Sequence, residues 1–273
     1  MRNAIKYYYN IDVDELRYQE NEYLFGNFIL KEVNKNIDLN LYNFFLGNNL
    51  YIHKIIYNTS NNIITKIDNK DYILLEKRND VKIDMNQISQ FLIDINPEKK
   101  RDWSRLWEMK VDYYEKNIIT IVNKEILEVF PYYIGLSELA IRIYKENNAE
   151  TTYSICHNRL NNPNDFYSPD NIITDYKVRD IAEYIKISFF NETLDFKELI
   201  FNIEHMLFKE GDYALLYARL LFPTYFFDCI ESDQNVKFYS SKINQYELLL
   251  NRMYYYLSTK GPVPKIDWLI KKV

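Results

Sequence analysis

Over the first eighty residues the apolar positions come in short runs of the length and spacing of strands. Glu22 to Val33 (EYLFGNFILKEV) holds two β-prone runs divided by Gly26-Asn27, a pair that predicts a hairpin turn. Ile37 to Leu46 places Leu41, Phe44 and Phe45 on one face of a short helix. Tyr51 to Tyr57, Asn62 to Ile67 and Asp71 to Glu76 are three more strand-like runs, separated by turns rich in Asn, Ser, Asp and Lys. The predicted order is strand, strand, helix, strand, strand, strand.

From about Ile83 the period becomes helical. Trp103, Leu106, Trp107, Val111, Tyr114, Ile118, Ile121 and Val122 recur at steps of mostly three and four, predicting an amphipathic helix that Pro131 ends. Leu136, Leu139, Ala140, Ile143 and Tyr144 predict a second helix, fraying at Asn147-Asn148. Between Thr151 and Asp175 the helical signal vanishes among prolines 163 and 169 and several Asn and Asp residues. Helices are predicted again at Asp180, at Asp195 (an N-cap with Glu198 as box partner, ended by Gly211), before Pro223, and from Asn244 to Leu257. Strands first and helices afterwards predict an α+β protein, with a small β-rich lobe over 1–78 and a larger helical lobe over 79–273, joined by a linker at 79–86.

Composition narrows the function classes. The chain has 34 basic and 39 acidic side chains, a net charge of −5, with the basic residues scattered, which speaks against a nucleic-acid binder. The tightest basic run, Lys99-Lys100-Arg101, leads into Asp102 and reads as a solvated helix start. The first twenty residues lack the apolar core of a signal peptide. The most apolar stretch, Ala214 to Ile230, is interrupted by Arg219, Pro223 and Asp228 and is too short for a membrane span, so a soluble protein is expected. Two cysteines, Cys156 and Cys229, make no disulfide framework and suggest a reducing compartment. His53 and His205 have no Cys or His at zinc-ligand spacing. There are 26 Tyr and 16 Phe but only 5 Gly, which weighs against a nucleotide site built on a glycine-rich loop.

Chemistry concentrates in the polar segment between the helical regions. It reads Cys156-His157-Asn158-Arg159-Leu-Asn-Asn-Pro-Asn164, then Ile172-Ile173-Thr174-Asp175, then Asp180-Ile181-Ala182. These resemble the catalytic loop (H-G-D-x-x-x-x-N), the metal-binding Asp after a short strand, and the following helix start of the aminoglycoside/choline-phosphotransferase branch of the protein-kinase-like fold. Asn27-Phe-Ile-Leu-Lys31 is similar to the strand whose Lys holds the nucleotide phosphates. Pro131 to Ile141, the Cys156–Arg159 loop, Asp175 to Glu183 and Ala218 to Pro223 together resemble spore coat kinase-like proteins of the CotS/YutH type. That resemblance implies a two-lobed kinase-like fold and a protein made during endospore formation in a Firmicute. It further implies synthesis in the mother-cell cytoplasm, a final place in the spore coat, and other coat proteins as partners.

In such a fold the resemblance assigns Lys31 to the nucleotide phosphates, Asn164 and Asp175 to Mg²⁺, and His157 and Arg159 to the catalytic-loop positions, with ATP and Mg²⁺ as the cofactors where any are bound. Arg159 stands where the acceptor-orienting Asp belongs. A guanidinium stays protonated and offers no acceptor lone pair, so it cannot take that role. No glycine cluster precedes Lys31; the helix at Ile37–Leu46 has no Glu to pair with it; and Glu32 points to the opposite face. His157 reads as an organiser of the loop, Asp180 as a cap, and Cys156 as a buried thiol. The pattern fits a pseudokinase, which leaves nucleotide binding without turnover open. The alternatives are an active small-molecule or protein kinase with an unconventional base such as Asp165 or Asp170, and a scaffold that binds no nucleotide.

Overall fold

The computed structural model describes residues 1–19, 21–33, 37–48, 52–77, 83–98, 100–121, 123–147, 150–160, 163–232 and 236–270, and residues 120, 163, 164 and 232 only in their backbone. Tyr51, Lys99, Val122, Asn148 and half of the expected linker, 79–82, lie outside these. The chain forms two compact units, residues 1–83 with 157–173, and residues 84–156 with 174–273.

The first unit is an antiparallel sheet with helices against it. It opens with α1 (Arg2–Tyr9), followed by β1 (Arg17–Gln19), β2 (Glu22–Phe25), β3 (Phe28–Glu32), α2 (Leu39–Gly47), β4 (Lys54–Ile56), β5 (Ile64–Ile67) and β6 (Lys70–Glu76). The strand order is β1-β2-β3-β6-β4, with β5 also paired to β6. The expected hairpin forms at Gly26-Asn27, and Gly26 supplies the left-handed φ of 51° that the turn needs. Successive side chains of β6 point to opposite faces, and Ile73, Leu74 and Leu75 are all fully buried, so both faces are covered. Tyr72 and Leu74 pack with Ile5 and Tyr9 of α1, and the Tyr9 hydroxyl donates to Thr65 Oγ1 at 2.8 Å. Tyr42 of α2 accepts a hydrogen bond from the Ile55 backbone N–H at 2.9 Å, and Asp38 caps α2. The sequence pattern foretold neither α1 nor β1.

The second unit is mostly helical. In chain order follow α3 (Met85–Phe91), β7 (Asp94–Ile95), α4 (Trp103–Asn117), α5 (Lys124–Asn147), β8 (Tyr153–His157), α6 (Pro163–Phe166, in the first unit's inserted segment), β9 (Ile172–Tyr176), α7 (Val178–Phe190), α8 (Phe196–Glu204), α9 (Glu210–Leu221), α10 (Thr224–Ser232), α11 (Val236–Ser240) and α12 (Ile243–Leu257). β7, β8 and β9 form a small sheet. α9 is central, packed by α5, α7 and α12, with every residue from Ala214 to Leu221 buried. Asp102 caps α4, as the basic run before it suggested. Trp107 stacks on Phe222 with centroids 4.4 Å apart, and Tyr133 on Phe226 at 4.2 Å. No helix among the described residues is long and apolar enough to cross a membrane.

Two helix boundaries differ from expectation. Pro131 does not end a helix but lies inside α5; the break comes earlier, where Ile118–Thr120 tightens into a 3₁₀ turn and Asn123 Oδ1 accepts from the Glu125 N–H. Burial of Ile126, Phe130, Tyr133 and Ile134 on both sides of the proline offsets the roughly 3 kcal/mol of a helix-interior proline. Gly211 does not terminate α8, which ends at Glu204 with His205 as its C-cap; it sits in the first turn of α9. There the chain passes so closely that an added Cβ would lie 2.4 Å from the Glu150 carbonyl oxygen and 2.8 Å from that of Asn147. The buried Asp212 carboxylate fixes the same junction by accepting from Thr152 N at 2.8 Å, Thr152 Oγ1 at 2.6 Å and Lys209 N at 2.9 Å.

Gly211→Ala is therefore expected to destabilise the protein by about 1–3 kcal/mol in urea unfolding. Gly135→Ala in α5, where the new methyl meets nothing within 4 Å, should be neutral or stabilising by up to about 1 kcal/mol. Equal effects at the two positions would contradict the close approach at Gly211.

Candidate functional site

The residues assigned by resemblance fall into two charge clusters, one in each unit. In the first, the β2–β3 hairpin pairs Glu22 with Lys31 across the strands, and Glu22 is only 3% exposed. The Lys31 ammonium forms ion pairs with Asp165, with Asp170 Oδ2 at 3.1 Å and with Glu22 Oε1 at 3.8 Å. Burial works to lower the Lys31 pKa, but the carboxylates of Asp170, Asp165 and Glu22 outweigh it, so the pKa stands above the ordinary lysine value. One cation thus faces three carboxylates. Glu22 was missed at the sequence level, although the turn at Gly26-Asn27 fixes the register that puts it opposite Lys31. Glu32, as expected, faces away and pairs with Lys70 at 2.7 Å.

The loop that supplies Asp165 and Asp170 is braced from within. Asn171 Oδ1 accepts from Arg159 N at 3.0 Å, and its Nδ2 donates to the carbonyls of Arg159 at 2.7 Å and Asp165 at 2.9 Å. The Asn158 N–H donates to Asn171 O at 2.7 Å. His157 is buried and stacks on Phe166 with centroids 4.3 Å apart, which suits an organiser of the loop. The Arg159 side chain is exposed. His53 N donates to Tyr167 O at 2.8 Å, tying the loop to the stretch before β4. Asn164 lies in α6, and its side chain is outside the described residues.

In the second unit Asp175, at the end of β9, is fully buried. Its carboxylate accepts from Arg179 Nη1 at 2.7 Å, from Trp103 Nε1 at 2.7 and 3.0 Å, and from the Tyr176 N–H at 2.7 Å; Arg219 Nη2 lies 3.5 Å from both oxygens. Both guanidiniums lie over the Trp103 ring, each 4.8 Å from its centroid. Burial works to lower the pKa of both arginines; for Arg179 the nearby carboxylates of Asp175, Glu183 and Asp180 outweigh it, while Arg219 is left below its usual value. Arg179 and Arg219 belong to the two sequence blocks Asp175–Glu183 and Ala218–Pro223, which meet here. Trp103 was read only as an apolar helix position. Asp180 is buried in the first turn of α7.

These surroundings do not suit a divalent cation at Asp175. Its lone pairs are taken by four donors, and an added Mg²⁺ would face two guanidiniums within hydrogen-bond range. No group of three or more His, Cys, Asp or Glu side chains among the described residues is arranged to hold a metal. A nucleotide phosphate at Lys31 would have to displace Asp165 and Asp170. The two-residue turn Gly26-Asn27 between β2 and β3, just before Lys31, leaves no room there for a loop that cradles phosphate. Cys156 is buried, and burial pushes its thiol well above the usual value; burial likewise pushes Cys229 up to about 11.

An antiparallel sheet with a partly buried lysine on its third strand, and a helical unit with an aspartate after a short strand, are features of the kinase-like phosphotransferase fold. Solved structures agree: an aminoglycoside phosphotransferase from Alicyclobacillus acidocaldarius matches with a TM-score of 0.66 at 10% identity, over 92% of this chain and 94% of that one. A spectinomycin phosphotransferase in complex with ADP and spectinomycin matches with a TM-score of 0.60 at 13% identity, over 96% and 94%. Within that class the family model described as "Spore coat putative kinase YutH" matches residues 9–261, so the chain belongs to this spore coat family. The endospore coat-associated protein YutH of Bacillus subtilis (strain 168) is 27% identical over 210 residues, 62% of this chain and 61% of its own length. The chain thus aligns with about three fifths of that relative. The family resemblance and the α+β two-lobed fold expected from the sequence are both borne out.

Asp175→Asn, which removes the carboxylate that two buried guanidiniums share, is expected to cost about 3–5 kcal/mol in urea unfolding; an unchanged midpoint would show that Asp175 does not hold this cluster. A pKa of about 11 leaves only about one Cys229 thiol in a thousand ionised at pH 8. Neither cysteine should therefore react with a disulfide reagent at pH 8 until the protein is unfolded, and rapid labelling of the native protein would contradict their burial.

Proposed function

We propose that this protein is a catalytically inert kinase-fold member of the spore coat, made in the mother-cell cytoplasm and acting in the coat by binding other coat proteins. The observation that carries this reading is the Lys31 cluster: the cation assigned to the phosphates is engaged by Asp165, Asp170 and Glu22 of its own unit. Arg159 in place of the acceptor-orienting carboxylate, and Asp175 enclosed by Arg179 and Arg219, support the same conclusion. The spectinomycin phosphotransferase of similar fold holds ADP; entry of a nucleotide here would require Asp165 and Asp170 to release Lys31. The same two aspartates are the candidate bases of an active kinase, and their engagement with Lys31 disfavours that alternative.

A thermal-shift titration with ATP and Mg²⁺ tests this. Wild-type protein is expected to show no shift up to millimolar nucleotide, whereas a bound ligand at 100 times its Kd would add about 2.7 kcal/mol. Asp165→Asn with Asp170→Asn should create or strengthen nucleotide binding, since the competing charges are gone. A saturable wild-type shift that Lys31→Met abolishes would overturn the reading.

A further inference from the structure

A second feature of the helical unit lies among α7, α8 and α12. A groove of about 500 Å³ runs along α12 beside the end of α7 and the start of α8. Phe189, Leu194, Phe196, Leu248 and Leu249 give it an apolar lining, and Arg252 stands in it with its guanidinium 5.9 Å from the Phe196 ring centroid. Among the described residues no carboxylate forms an ion pair with Arg252, although the chain as a whole carries a net charge of −5. One lip is fixed: Glu192 adopts a left-handed φ of 58°, uncommon for a residue with a side chain, and bridges to Lys242 at 2.8 Å while Thr193 N donates to Ser188 O at 2.8 Å. The groove is open, with Leu248 61% exposed, whereas a small-molecule site would enclose most of its ligand.

We propose that this groove docks a helical segment of another protein, with apolar residues at helical spacing in the groove and an Asp or Glu placed to meet Arg252. An apolar floor flanked by an exposed guanidinium matches an amphipathic helix with an acidic residue beside its apolar stripe. The paired Glu192–Lys242 lip adds no net charge, so Arg252 sets the sign of the preferred partner. This rests on the reading that the protein acts by binding other proteins, and it names the surface and the chemistry. Its failure would leave the nucleotide-inertness of the Lys31 cluster untouched, because that is read by a different titration.

The test is to pan a phage-displayed library of random peptides of about 16 residues, long enough for roughly 24 Å of helix, against the whole chain. Enriched peptides are then synthesised and their affinities measured by fluorescence anisotropy. The expected ligands carry an acidic residue next to an apolar helical stripe, and lose about tenfold or more in affinity with Arg252→Glu and with Leu248→Asp. Replacing the peptide's acid by Lys should restore binding to the Arg252→Glu protein. Both variants are at exposed positions, and circular dichroism melts should match wild type. No enrichment, peptides indifferent to both variants, or a concentration-dependent dimer lost with Arg252→Glu would each overturn the proposal, the last assigning the groove to a second copy of this chain.

Discussion

A carboxylate buried without water must find its counter-charge inside the protein, and Asp175 finds two. Arg179 reaches it from the next turn of its own segment and Arg219 from the central helix α9, with Trp103 of α4 donating from a third direction. Four pieces of the helical unit, β9, α7, α9 and α4, thereby share one electrostatic anchor. Such clusters carry a large desolvation cost and hold only when every partner is present. The same requirement removes Asp175 from metal chemistry, because a carboxylate whose oxygens are committed to arginines has nothing left to offer a cation.

The Lys31 cluster follows the same principle in the other unit. A phosphate-binding lysine works as an available positive charge in a site built around anions. Here the anions belong to the protein. Glu22 comes from the neighbouring strand, and Asp165 and Asp170 from the loop that Asn171 holds together, so three carboxylates surround one ammonium. The shortage of glycine acts at the same place: a two-residue turn joins β2 to β3 where a phosphotransferase needs an extended backbone cradle. The fold tolerates both changes, because neither the sheet nor the α9-centred core depends on a ligand for its packing.

Much of this architecture was legible in the chain. Short apolar runs divided by turn residues over 22–76 marked the strands, and the step of three and four marked α4, part of α5 and α12, because burial of one helix face imposes that period. The part of α5 around Pro131 was misread because a proline's local cost is small beside several buried aromatic and aliphatic side chains. α9 was hard to delimit for the opposite reason: it is buried on nearly all sides and so loses its amphipathic contrast. The candidate residues were found through the family blocks rather than through periodicity. Their partners were not, since Glu22, Asn171, Arg219 and Trp103 act through contacts distant in sequence; of these only Glu22 could have been derived, from the hairpin register.

The central claim is that the charges of a phosphotransferase site are here satisfied by the chain itself. The most direct measurement is ATP turnover by the purified protein with Mg²⁺, using an acceptor mixture of coat proteins and small alcohols and amines, with Lys31→Met as background. The account predicts that wild type and Lys31→Met are indistinguishable. Turnover at ordinary kinase rates of about 1–100 s⁻¹, abolished by Lys31→Met and by Asp175→Ala in samples that remain folded, would contradict it.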